Sequence, residues 1–220
     1  MRRFFIEKKN MVVIGAGPGL GIHIAEEFGS RGFRTILMSR REEALKQYVT
    51  KLNEKGIDAD YQVVDCAKNE SIKSSLSKVQ QKYGGIDVLV YNTAVLQGGS
   101  PLELTPEELS ERYQVDVSGA LCAAQHVIPG MKDKKDGAIL FTGGGLALNP
   151  MPESTSISVH KAALRALSIV LHKELKDSGI YAGIVNIKGG IGSDEYYSPV
   201  KLAALFYRLY EDRNEIEITY

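Results

Sequence analysis

A short apolar run, Met11-Val12-Val13-Ile14, ends in Gly15-Ala16-Gly17-Pro18-Gly19-Leu20-Gly21, and an amphipathic stretch through Ile22, Ala25 and Phe28 follows at once. This order, strand then glycine turn then helix, constrains the chain more than any other feature. Glycines at the turn let the backbone come close to a pyrophosphate, and the new helix offers it free N–H groups and a positive dipole end. The spacing is Gly-x-x-x-Gly-x-Gly. Leu20 stands where the dinucleotide fingerprint Gly-x-Gly-x-x-Gly would have its last glycine.

The rest of the sequence repeats the same alternation of short Val- and Ile-rich runs with longer amphipathic segments. The pattern predicts a Rossmann-type α/β fold, a doubly wound parallel sheet of about seven strands with helices on both faces. Strands are expected near Met11–Gly15, Arg34–Met38, Ala59–Val64, Asp87–Val90, Ala138–Phe141, Ala182–Ile187 and Glu215–Thr219, with helices from Gly19, Glu42, Glu70, Pro106, Thr155 and Pro199. In Thr105-Pro106-Glu107-Glu108 a cap, a first-turn proline and two acids coincide, which marks a helix start. Ser154–Lys176 carries Ile157, Ala162, Leu164, Leu167, Val170 and Leu171 on broadly one side, and Gly179 ends it. Right-handed crossovers then put a ligand crevice at the carboxyl ends of the strands.

With 220 residues the chain is expected to form a single domain, residues 1–220, around one core. Its 27 basic and 27 acidic residues cancel and are spread along the chain, so neither a nucleic-acid nor a membrane partner is expected. The segment Met1–Lys9 breaks into charge too soon for a signal peptide or a span. Two cysteines, Cys66 and Cys122, are too few for a stapled secreted domain, so a cytoplasmic home is expected. The four histidines have no metal-ligand spacing, and no metal is expected.

The second expected strand ends in Leu37-Met38-Ser39-Arg40-Arg41, with no acid to accept a hydrogen bond from a ribose 2′-hydroxyl. A guanidinium there suits a 2′-phosphate, so Arg40, assisted by Ser39 or Arg41, points to NADP(H) rather than NAD.

Taken in order, several landmarks resemble the short-chain dehydrogenase/reductase family from about Met11 to the end of the chain. They are the glycine spacing, Asp65 after the third strand, Val88-Leu89-Val90-Tyr91-Asn92-Thr93-Ala94 at the fourth, and Lys161. The resemblance implies that a dinucleotide lies against Gly15, Gly17, Gly19, Leu20, Gly21, Ser39, Arg40, Arg41, Asp65, Cys66, Asn92, Thr93, Ala94, Lys161 and Gly189. It also implies a homodimer or homotetramer formed through the helices that begin near Pro106 and Ser154, where Leu121, Val127, Ile128, Leu164, Ile169 and Val170 exceed what one buried stripe needs.

The catalytic positions depart from the family. Its proton-transferring tyrosine, four residues before the lysine, is Ile157, and its oxygen-holding serine is Gly144. The asparagine of its proton relay is Asp116. Lys161 remains, but Ile157 carries no ionisable proton, so general acid–base catalysis from that position is chemically excluded. Ile187-Lys188-Gly189-Gly190-Ile191-Gly192-Ser193 leads quickly to a helix start at Ser198-Pro199, so the segment covering any substrate is short. Two readings follow. One is an NADP-dependent oxidoreductase of degenerate site acting on an unidentified small molecule, its proton drawn from another hydroxyl, from His160 or from water. The other is a catalytically inactive NADP(H)-binding sensor or regulatory module.

Overall fold

The computed structural model describes residues 8–220, so the expectation for the first residues lies outside it except at Lys8 and Lys9. Seven strands form one wholly parallel sheet: β1 Asn10–Ile14, β2 Arg34–Ser39, β3 Ala59–Val63, β4 Val88–Tyr91, β5 Gly137–Thr142, β6 Ile180–Asn186 and β7 Glu217–Thr219. Their order across the sheet is β3-β2-β1-β4-β5-β6-β7, the doubly wound arrangement. Met11 pairs with Thr35 of β2 on one side and with Val88 of β4 on the other.

The central strands read as unbroken apolar runs because both of their faces are covered. Val12, Ile14, Leu89, Tyr91, Ile139 and Phe141 point to one face, against helices α3 (Asn69–Tyr83), α5 (Gly119–Lys134) and α6 (Thr155–Leu175). Met11, Val13, Val88, Val90, Ala138 and Leu140 point to the other, against α1 (Leu20–Ser30), α2 (Glu42–Glu54) and α7 (Pro199–Asp212). Period-two alternation along each strand therefore builds two apolar layers from one sheet.

Local signals set the boundaries. Thr105 accepts a hydrogen bond from the Glu108 N–H, and the Glu108 carboxylate accepts one from the Thr105 N–H, so a reciprocal capping box starts α4 (Pro106–Tyr113). Gly179, at φ +73°, takes the left-handed turn that leads into β6.

Three expectations need correction. The helix from Pro106 is two helices, because a π-helical turn over Gln114–Ser118 separates α4 from α5. The inward face of α6 is not the apolar stripe expected: Val170 is 62% exposed, while Ser156, His160, Lys161 and Ser168 are buried beside Leu164, Leu171 and Leu175. Val127 and Leu164 are core residues at 1% exposure, so neither is available to a partner surface, whereas Leu121 and Val170 are exposed. No described helix is long and apolar enough to cross a membrane.

Candidate functional site

A crevice opens at the carboxyl ends of the central strands as two adjoining cavities, about 760 and 740 Å³, which share Asn92, Ala94 and Leu96 as a common wall. Gly15 and Ala16, at the start of the glycine turn, line the first. The N–H groups of Gly15 and Ala16 both donate to the Met38 carbonyl, at 2.8 and 3.0 Å, which ties the turn to β2. Gly15 adopts φ +91°, and a Cβ there would lie 2.7 Å from the Asn92 carbonyl, so only glycine fits. Asn92 completes the fixation: its Nδ2 donates to the Gly15 carbonyl at 2.9 Å, and its Oδ1 accepts from the Thr142 hydroxyl at 2.7 Å.

Gly21 packs the new helix on the turn, since a Cβ there would meet the Gly15 carbonyl oxygen at 2.7 Å. Gly17 and Gly19 are different. A Cβ at either would meet nothing within 4 Å among the described residues, so none of their contacts demands a glycine there. Gly17, Gly19 and Gly21 lie outside the lining of both cavities, while Leu20 lines the second. α1 carries no acid in its first turn and no side-chain cap, which leaves its positive end uncompensated. A bare backbone surface before an uncapped helix is what a pyrophosphate group fits.

Ser39, Arg40, Arg41, Asp65, Cys66, Asn92, Thr93 and Ala94 all line the first cavity. Arg40 and Arg41 are exposed, and among the described residues neither forms an ion pair. Asp65 is partly engaged, accepting from the Ala67 N–H at 3.1 Å and lying 3.6 Å from Lys68 Nζ. Burial pushes the Cys66 thiol up to about 11, so it is no nucleophile at neutral pH.

The second cavity brings together four of the positions singled out in the sequence. Gly144, Ile157, Lys161 and Gly189 line it, with Leu146, Leu148, Met151 and Ile191 supplying apolar wall. Lys161 is 6% exposed and donates to the Thr142 carbonyl at 2.6 Å. Loss of water around the ammonium lowers its pKa to about 8, against an opposing pull from Asp116. Among the described residues only one hydroxyl, that of Thr142, lines this cavity, and it is already donated to Asn92.

Asp116 is elsewhere. It is 1% exposed and lines neither cavity; Oδ1 accepts from the Val95 N–H at 2.9 Å, and Oδ2 lies 2.9 Å from His160 Nδ1. His160 is wholly buried, with no hydrogen-bond partner for Nε2 among the described residues, so it is not the crevice-facing proton donor that its place in sequence allowed. None of Ser154, Ser156 and Ser158 lines the cavity. The Asp116–His160 pair instead braces the shared wall from behind, joining the π-helical turn, the loop after β4 and α6. Sequence reasoning missed it because the partners lie 44 residues apart and no local pattern links them.

The segment after β6 is short, as expected. Tyr196 and Tyr220 stack with ring centroids 4.4 Å apart, Tyr197 meets Tyr196 edge-on, and the Lys188 N–H donates to the Tyr220 carbonyl at 2.8 Å. The rings thus pin the segment from below.

A model of the short chain dehydrogenase family matches residues 9–193. An uncharacterized oxidoreductase of Thermotoga maritima is 30% identical over 185 residues, 84% of this chain and 72% of that protein. Short-chain dehydrogenase/reductase 3 of Bos taurus is 27% identical over 159 residues, 72% of this chain but only 53% of its own length. In fold, an actinorhodin polyketide ketoreductase with NADPH superposes at TM-score 0.89, with 22% identity over 96% of this chain and 95% of that one. An NADH-dependent reductase complexed with NAD superposes at 0.88, with 19% identity over 97% and 95%.

Proposed function

The chain belongs to the short-chain dehydrogenase family, and from that premise we propose that it binds NADP(H) along the crevice as an oxidoreductase-like protein of degenerate site, without the family's tyrosine-dependent carbonyl chemistry. One observation carries the reading: among the described residues, no tyrosine and no serine side chain lines the cavity around Lys161, where Ile157 and Gly144 stand at the matching positions.

The residues of the first cavity suit the cofactor. The glycine turn and the α1 terminus would hold the pyrophosphate, and Arg40 with Ser39 and Arg41 would hold a 2′-phosphate. When bound, the nicotinamide supplies or accepts a hydride. What this chain adds is binding and orientation. Lys161 would take a ribose hydroxyl, and the Asn92–Thr142 hydrogen bond fixes the wall beside it. Ile157 makes the space beside it apolar, and Gly144 leaves room in place of a hydrogen bond.

A second reading, an active oxidoreductase with a replaced proton source, is favoured by the lowered pKa of Lys161. An ammonium titrating near pH 8 can act as a general acid at neutral pH. Turnover of that kind falls as pH rises through about 8 and disappears in Lys161→Ala. The experiment that separates the two measures NADPH binding and NADPH consumption on one panel of aldehydes and ketones. Saturable binding without carbonyl-dependent consumption supports the first reading, and Lys161-dependent consumption supports the second.

A further inference from the structure

The outer part of the second cavity is not explained by a dinucleotide. Leu96, Leu148, Met151 and Ile191 stand at its mouth with exposures of 79, 42, 46 and 45%, so a substantial share of the exposed large apolar side chains converges on one opening. Apolar surface gathered at the rim of a concave site marks a place that a ligand covers.

The charges of the lining have one sign. Among the described residues no Asp or Glu lines the cavity, and its two ionisable groups are Lys161 at the base, committed to the Thr142 carbonyl, and Lys188 at the rim. Lys188 is exposed and forms no ion pair among the described residues. Its stem lies along the wall: a Cβ placed on Gly145 would meet Lys188 Cγ at 3.2 Å and Cβ at 3.3 Å, so the glycine makes room for it. The hydrogen bond from its N–H to the Tyr220 carbonyl fixes the backbone beneath. Asn149, also exposed at this rim, is a neutral polar side chain beside it.

An apolar wall with one unpaired cation at its edge, and no free hydroxyl to hold a carbonyl oxygen, selects by charge and chain. We propose that this part of the crevice binds a carboxylate carrying an apolar tail, with the carboxylate at Lys188 and the tail against Leu148, Met151, Ile157 and Ile191. The inference rests on the dinucleotide reading in that it assigns the space beside the nicotinamide to the second ligand.

The test is calorimetric titration of the protein, with and without saturating NADP+, using octanoate, octanol and octyltrimethylammonium. Octanoate should bind about three- to fivefold more tightly than octanol at low salt, an advantage that added salt reduces, and the cation should bind more weakly than octanol by a similar factor. Hexanoate should be weaker than octanoate by about tenfold, since each buried methylene contributes roughly three- to fourfold. Lys188→Glu should remove the preference for octanoate over octanol while leaving NADP+ affinity unchanged. Equal binding of octanol and octanoate, or a preference that survives Lys188→Glu, would overturn the proposal. Octanoate binding of the expected kind by a protein that fails to take NADP+ would support this site and overturn the dinucleotide reading instead.

Discussion

Restoring the two missing hydroxyls is the perturbation the site describes most fully. A Cβ at Gly144 would lie 3.5 Å from Lys161 Cγ and 3.9 Å from the Ile187 carbonyl oxygen, ordinary contacts that admit a serine without moving the backbone. Ile157 is half-buried and faces a cavity of about 740 Å³, so a tyrosine ring has space to enter it. Lys161 is in place to lower the pKa of the new phenol. A positioned general acid contributes about a hundred- to ten-thousand-fold in rate, and an oxygen-holding donor about a hundred- to a thousand-fold. Groups acting as a unit do not add, so Gly144→Ser with Ile157→Tyr should raise NADPH-dependent reduction of a small aldehyde by on the order of a hundred- to ten-thousand-fold over the unmodified protein. The assay is loss of NADPH absorbance under saturating aldehyde, with each single change and a triple variant carrying Lys161→Ala as controls. A folded double variant that binds NADPH and gains nothing would refute the placement of the site, as would a gain that persists without Lys161.

Other consequences are open to simpler measurements. Arg40→Ala should weaken NADPH binding about tenfold, the value of one charge-assisted hydrogen bond, and leave NADH binding nearly unchanged; cofactor fluorescence titration reads both. Lys161 has its pKa lowered on folding from 10.5 to about 8, so the unfolded chain binds the extra proton between those values and stability should rise with pH across that window. Denaturation of the protein against Lys161→Met at pH 7, 9 and 10 should show the variant's advantage largest at pH 7 and shrinking as pH climbs through 8. If the chain self-associates through α5 and α6, the exposed Leu121 and Val170 belong to that contact, and Leu121→Glu with Val170→Glu should give a monomer by light scattering at micromolar concentration.

Much of this architecture can be read from local pattern. The strand–glycine–helix junction at Ile14–Gly21 and the capping box at Thr105 are short-range signals, and each is found where its chemistry requires it. Ile157 and Gly144, which the family resemblance picks out by their spacing from Lys161, both line one cavity with it. The misreadings have a common cause. Ser156, His160, Lys161 and Ser168 are polar and add nothing to the apolar stripe, but α6 buries them. Helical periodicity records polarity and not destination, so Val170 is grouped with the apolar stripe although it is exposed, and the buried polar face goes unmarked. The π-helical turn at Gln114–Ser118 has no local sequence mark, and the Asp116–His160 pair that it carries exists only once three distant elements meet.

The most direct test of the central claim is a pair of readings on the unmodified protein: NADPH binding by titration, and NADPH consumption in the presence of a small aldehyde. The account predicts saturable binding, tighter for NADPH than for NADH, with aldehyde-dependent consumption at the background rate. Aldehyde-dependent turnover in the usual enzymatic range of about 1 to 1,000 per second would contradict it, whether or not it survives Lys161→Ala.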